Sequence, residues 1–185
     1  MNQSIALRKP RLSVRAQTLA ALCAIAAAVV LPQLVHLLGA AAGLGSALGE
    51  ALLPMHLSIL LVGLLAGPYA GAAAGLLSPL VSFALTEMPR AALLPFMVLE
   101  LGVYGLCTGL LRNARMPVIF KLLIAQLAGR AVRAGAILIA VYGFGSQALP
   151  VSVIWTSVAT GLLGLVLQWA LLPLIVYRVE NAANR

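Results

Sequence analysis

From about Ala16 to Tyr177 the chain is a succession of apolar runs of roughly spanning length, with almost no charge inside them. A helix needs about 20 mostly apolar residues to cross the hydrocarbon core of a bilayer, and shorter pieces serve as buried or re-entrant segments. Hydrophobic residues make up 63% of the 185 and charged residues 9%, with a mean hydropathy of +1.08. Soluble domains carry roughly 25% charged residues. The fold class expected is therefore an all-α membrane protein.

Six spans are expected. The first runs from about Ala16 to Leu38, and a Gly/Ala/Ser connection follows it to Glu50. The second and third share one stretch, about Ala51 to Thr86, broken at Gly67-Pro68 because proline cannot extend the preceding helix. Both are short for a crossing. The fourth is expected from about Ala91 to Leu111, the fifth from Pro117 to Val141 and the sixth from Val151 to Tyr177. Pro117 and Pro150 suit helix starts, where a missing N–H is no loss. The domain organisation read from this is a basic tail at 1–15, one six-helix bundle at 16–177 and a short tail at 178–185.

The net charge of +8 would fit nucleic acid if the bases shared one face. They sit instead in tails and short connections. With both termini in the cytoplasm, the inner side holds Arg8, Lys9, Arg11, Arg15, Arg112, Arg115, Lys121, Arg178 and Arg185, and the outer connections hold Arg90. That distribution follows the positive-inside rule and turns Glu50 and Glu87 outward. The basic start ahead of an apolar run resembles a secretory signal, but everything downstream is membrane-like, so an uncleaved first span is expected. Cys23 and Cys107 fall in the cytoplasmic half of apolar segments, where disulfides are disfavoured, and read as small core residues.

Against this background three charges stand out in mid-span: Glu100, Arg130 and Arg133. An ionised side chain at the bilayer centre costs roughly 2.5 to 3.5 kcal/mol on insertion scales, so it needs a partner or a task. Glu100 and Arg130 both fall near the centres of their helices and could form a structural ion pair. Arg133, three residues on and on nearly the same helix face, then leaves a surplus guanidinium. A guanidinium presents a planar fork that matches carboxylate or phosphate, which points to an anionic ligand, with a carbonyl cluster or interior water as the other possible partner.

Further polar groups belong to the same outer end. His56 begins the second helix, Gln126 precedes Arg130 by one turn and Trp155 opens the sixth helix. Two of them have a plain alternative: His56 as a helix-start side chain bonding a loop carbonyl, Trp155 as an interfacial anchor. Tyr104 is expected to bond a neighbour within the bundle, and His36 to sit at the interface.

Small residues recur at packing intervals: Ala20, Ala24 and Ala28; Gly63, Gly67, Gly71 and Gly75; Gly105 and Gly109. Small-xxx-small faces let helices approach closely in lipid, and such a face ordinarily meets a neighbour in the same chain.

Several stretches together carry a family likeness. Leu53-Pro54-Met55-His56-Leu57, Gly63 to Pro68, Leu76 to Ser82, Met88-Pro89, Glu100 to Leu106 and Ala128-Gly129-Arg130, in that order and spacing, resemble the substrate-binding S components of energy-coupling factor (ECF) transporters. The resemblance spans about Ala16 to Tyr177. It implies a six-helix subunit of a prokaryotic plasma membrane that captures a vitamin from outside, joined to a transmembrane coupling subunit and two cytoplasmic ATPases. It also implies that an Ala-x-x-x-Ala face on the first helix, here Ala20, Ala24 and Ala28, docks the coupling subunit. This chain departs from many such vitamin binders in its low aromatic content, 5%.

No phosphate-binding loop, C-x-x-C pair or histidine pair at helical spacing occurs, so ATP hydrolysis is expected in separate chains, with no cofactor or metal in this one. No nucleophile and base stand at a recognisable spacing, so the chain is not read as an enzyme. The substrate-binding set expected is Arg133, Arg130, Glu100, His56, Gln126 and Trp155, on the outer half between helices four to six, capped by the connections near Glu50 and Glu87. A small carboxylate-bearing vitamin suits surplus arginine with few aromatics, and pantothenate is the first choice, with folate, nicotinate and cobalamin left open. Two other classes stay open: a membrane scaffold without transport, and an ion-coupled carrier. Such carriers show paired broken helices, and the sequence offers no interruption in its second half to match Gly67-Pro68.

Overall fold

A computed structural model describes residues 12–183. Arg8, Lys9, Arg11 and Arg185, part of the inner basic set, lie outside the described residues. Within these bounds the chain forms eight α-helices: α1 (Val14–Ala41), α2 (Ala47–Leu52), α3 (Pro54–Ala66), α4 (Pro68–Thr86), α5 (Leu94–Leu110), α6 (Val118–Leu138), α7 (Val153–Thr160) and α8 (Leu162–Ala183). A 3-10 turn at Leu111–Asn113 prolongs α5, and a π turn at Ile139–Gly143 prolongs α6. Six segments are long and apolar enough to cross a membrane: Val14–Ala41, Ala47–Ala66, Pro68–Thr86, Leu94–Asn113, Val118–Gly143 and Leu162–Ala182.

Helix boundaries follow local chemistry. Ser13 caps α1 by accepting a hydrogen bond from the Ala16 N–H at 3.2 Å, which satisfies one of the unpaired donors of the first turn. The break at Gly67-Pro68 is present: Gly67 has φ 106°, open to glycine without a Cβ penalty, and Pro68 starts α4. A second break of the same kind was not expected. Leu53 takes a left-handed conformation (φ 49°, ψ 50°) immediately before Pro54 and divides α2 from α3. Proline disfavours the helical region for the residue before it, so both breaks are X-Pro effects.

The sixth span is corrected. Val151 to Tyr177 is not one helix but α7 and α8, divided at Gly161, and the spanning part is Leu162–Ala182. The second half therefore does contain an interruption. A Cβ at Gly161 would come within 2.8 Å of the Leu53 side chain, and one at Gly164 within 2.7 Å of the Ala51 carbonyl, so the two broken regions pack on each other. The C-terminal tail expected from residue 178 is still helical, since α8 continues to Ala183.

Close packing of α3, α4 and α5 forms the centre of the bundle. Gly71 on α4 and Gly105 on α5 face each other so tightly that a Cβ on either would run into the other's backbone. Gly75 meets the Leu101 carbonyl and Gly109 meets Pro68 in the same way. In lipid, where apolar burial gives no drive to association, such backbone proximity supplies dispersion contacts and weak hydrogen bonds instead. The alanine face of α1 is also spent internally: Ala24 is 8% exposed and Ala28 0%, with Ala20 half-buried, against α3 and α4. Ala20, Ala24 and Ala28, expected to dock the coupling subunit, thus pack against α3 and α4 of this chain.

The outside of the bundle is apolar, with Leu19, Leu37, Leu127 and Leu163 more than half exposed. Four exposed Tyr and Trp residues fall at its two ends: Tyr142 and Trp155 at one, Tyr69 and Tyr177 at the other. Amphipathic rings of this kind favour membrane–water boundaries.

Candidate functional site

A cavity of about 530 Å³ opens at the end of the bundle away from the start of α1 and the end of α8. Its walls come from the late part of α1 (Pro32, Gln33, His36), the α2–α3 break (Leu53 to His56), the end of α4 (Ser82), the start of α5 (Met97), the outer half of α6 (Arg130, Arg133) and one face of α7. Glu50 and Arg90 stand at the exposed rim. Pockets of this size take small molecules.

The charges expected at mid-depth are gathered here, with one change of partner. Glu100 on α5 is fully buried, and its Oε2 lies 2.8 Å from Nη1 of Arg133, not of Arg130. Tyr104, one turn along α5 and itself fully buried, donates its hydroxyl to Glu100 Oε1 at 2.9 Å. The His56 ring packs edge-on against Tyr104, centroids 5.6 Å apart. Gly129 makes this register possible, because any Cβ there would strike the Tyr104 ring and approach the Glu100 carbonyl to 2.8 Å. The α5 and α6 backbones therefore meet at the level of the ion pair.

Arg130 is left over. It lines the cavity, and among the described residues it has no hydrogen-bond or salt-bridge partner. Among the described residues seven buried side-chain polar atoms have no partner, and four of them belong to cavity-lining residues: Gln33 Nε2, His56 Nδ1, Arg130 Nε and Arg133 Nε. Leaving a buried polar atom unpaired costs about 1 to 3 kcal/mol, and natively folded chains keep few of them. Their concentration in one cavity makes it the candidate site for a polar ligand.

The other expected site residues separate into two outcomes. His56, 5% exposed, lines the cavity. Gln126 does not: its Nε2 donates to Gln168 Oε1 at 2.9 Å and its Oε1 accepts from Trp169 Nε1 at 2.8 Å, a link from α6 to α8. Gln168 in turn reaches the Leu53 carbonyl at the α2–α3 break, 3.3 Å away. Trp155 is 74% exposed on the outer side of α7 and does not line the cavity either. The ligand-contact readings of Gln126 and Trp155 are thus not matched by position.

Some lining residues had gone unread. Gln33, Ser82, Met97 and the α7 residues Thr156, Ser157 and Thr160 face the cavity. The α7 set carried a signal, since 153, 156, 157 and 160 fall on one helix face. His36, taken as interfacial, also lines the cavity, with its ring against Gly49. No aromatic ring other than the two histidines belongs to the lining.

The profile of the family described as ECF transporter, substrate-specific component, matches residues 15–176. This chain belongs to that family. Comparison with curated proteins and with solved structures returned no match. As a substrate-specific component it is a membrane-embedded, substrate-binding transport subunit, and the cavity under α2 and α7 is its candidate binding site.

Proposed function

We propose that this S component captures a small carboxylate-bearing micronutrient, with pantothenate the first choice, for an ATP-driven importer. The observation that carries the reading is Arg130, a guanidinium on the cavity wall with no hydrogen-bond or salt-bridge partner among the described residues, beside an Arg133 whose carboxylate is already supplied by Glu100. One carboxylate against two guanidiniums leaves a net positive wall, and a ligand carboxylate neutralises it through charge-assisted hydrogen bonds. Methionine, proline and leucine supply the apolar part of the lining, which suits an aliphatic body better than a large stacked ring.

In this reading both termini face the cytoplasm of a prokaryotic cell and the cavity opens outward. Supporting it, Arg15, Arg112, Arg115, Lys121 and Arg178 all lie toward the end of the bundle that carries the described termini, and Arg90 toward the cavity end. A coupling subunit and two ATPases complete the importer.

Titration calorimetry on the purified protein tests the ligand class. Pantothenate should bind roughly ten- to a hundred-fold more tightly than panthenol, its alcohol counterpart, the ratio expected for a charged hydrogen bond of about 1.5 to 3 kcal/mol. Equal affinity for the two ends the carboxylate reading.

A further inference from the structure

Helix α7 is a thin wall between the lipid face and the cavity. Trp155 points outward, 74% exposed, while Val153, Thr156, Ser157 and Thr160 line the cavity. The inward face of this short helix is thus mostly hydroxyl, an inversion of the usual apolar-inward pattern.

Those hydroxyls have already committed their protons. Thr156 donates to the Ser152 carbonyl at 3.2 Å, Ser157 to the Ile154 carbonyl at 3.2 Å and Thr160 to the Thr156 carbonyl at 2.9 Å. A hydroxyl has one donor hydrogen and two acceptor lone pairs. With each hydrogen turned back onto the helix, the lone pairs remain for the cavity. On α6 the situation is reversed, because arginine nitrogens only donate and Arg130 Nε and Arg133 Nε are unpaired. The cavity therefore has a donor wall and an acceptor wall.

We propose that Thr156, Ser157 and Thr160 form a second subsite, which accepts hydrogen bonds from hydroxyl groups on the ligand. It rests on the carboxylate reading above and narrows it. The preferred ligand is bifunctional, an anion for α6 that also carries hydroxyl donors for α7, and an acid without hydroxyls satisfies one wall alone.

The test uses the full chain in lipid nanodiscs and three probes: pantothenate, panthenol, and N-(3,3-dimethylbutanoyl)-β-alanine, which keeps the carboxylate and loses both hydroxyls. The dihydroxy acid should bind about ten-fold or more tightly than its deoxy counterpart. The double variant Thr156→Val with Thr160→Val should lose most of that advantage while binding the deoxy acid unchanged, and Thr156→Ser should behave as the parent does. The deoxy acid's unchanged affinity also reports that the variant is folded. Equal affinity for the two acids, or a double variant that weakens both alike, overturns the α7 subsite and leaves the carboxylate reading standing. Panthenol binding as well as pantothenate overturns the carboxylate reading, and failure of both acids to bind overturns the two together.

Discussion

Arg133, rather than Arg130, holds Glu100, with 2.8 Å between Nη1 and Oε2 and a side chain 12% exposed against a carboxylate that is fully buried. The choice of partner divides two neighbouring arginines into different tasks. One pairs with the buried carboxylate, and the other lines the cavity with no salt bridge among the described residues.

That division predicts opposite phenotypes. Glu100→Gln leaves the Arg133 charge unpaired and should destabilise by about 3 to 5 kcal/mol, as removal of one member of a buried pair does. Arg130→Gln should leave the thermal midpoint within a degree or two and weaken pantothenate by about ten-fold or more. Thermal unfolding in detergent, run beside calorimetry, separates the two. A large stability loss in Arg130→Gln with unchanged ligand affinity would reverse the assignment.

The amide link between α6 and α8 predicts a structural effect without a ligand effect. Gln126→Leu strands Trp169 Nε1 and Gln168, so about 1 to 3 kcal/mol of stability should go. Because Gln126 does not line the cavity, the affinity for ligand should hold. A variant of normal stability that no longer binds would return Gln126 to the site.

The contact between Gly71 and Gly105 leaves no room for a side chain. Gly71→Val should cost at least the roughly 1 to 3 kcal/mol of ordinary overpacking, since the obstacle is the Gly105 backbone and not a movable side chain. A lowered yield of monodisperse protein and a lowered midpoint would report it. Gly135→Ala, where nothing lies within 4 Å of the added carbon, is the matched control and should be silent.

Trp155 is expected at the membrane boundary. In a Trp169→Phe background, lipids brominated along the acyl chain should quench Trp155 fluorescence strongly, whereas ligand addition should change it little. Protection from lipid that increases with ligand would instead place the indole at the cavity.

The break at Gly67-Pro68 was legible because an X-Pro step excludes the preceding residue from the helix, and Leu53-Pro54 obeyed the same rule without being read. Gly161 could not be read so. A glycine inside a helix costs only about 1 kcal/mol against alanine, too little to enforce a break without the packing of Leu53 against it.

Sequence by itself determined the solvent, most of the spanning helices and the presence of three charges in mid-span, because each follows from properties carried residue by residue: transfer cost, missing backbone donors and fixed charge. Tertiary structure decided which arginine meets Glu100, that the alanine face of α1 turns inward, and that α7 turns its hydroxyls to the cavity. Those outcomes depend on the rotation and height of one helix against another. Rotation and height are set by contacts such as Gly129 on Tyr104, between residues far apart in the chain, and so no local pattern encodes them.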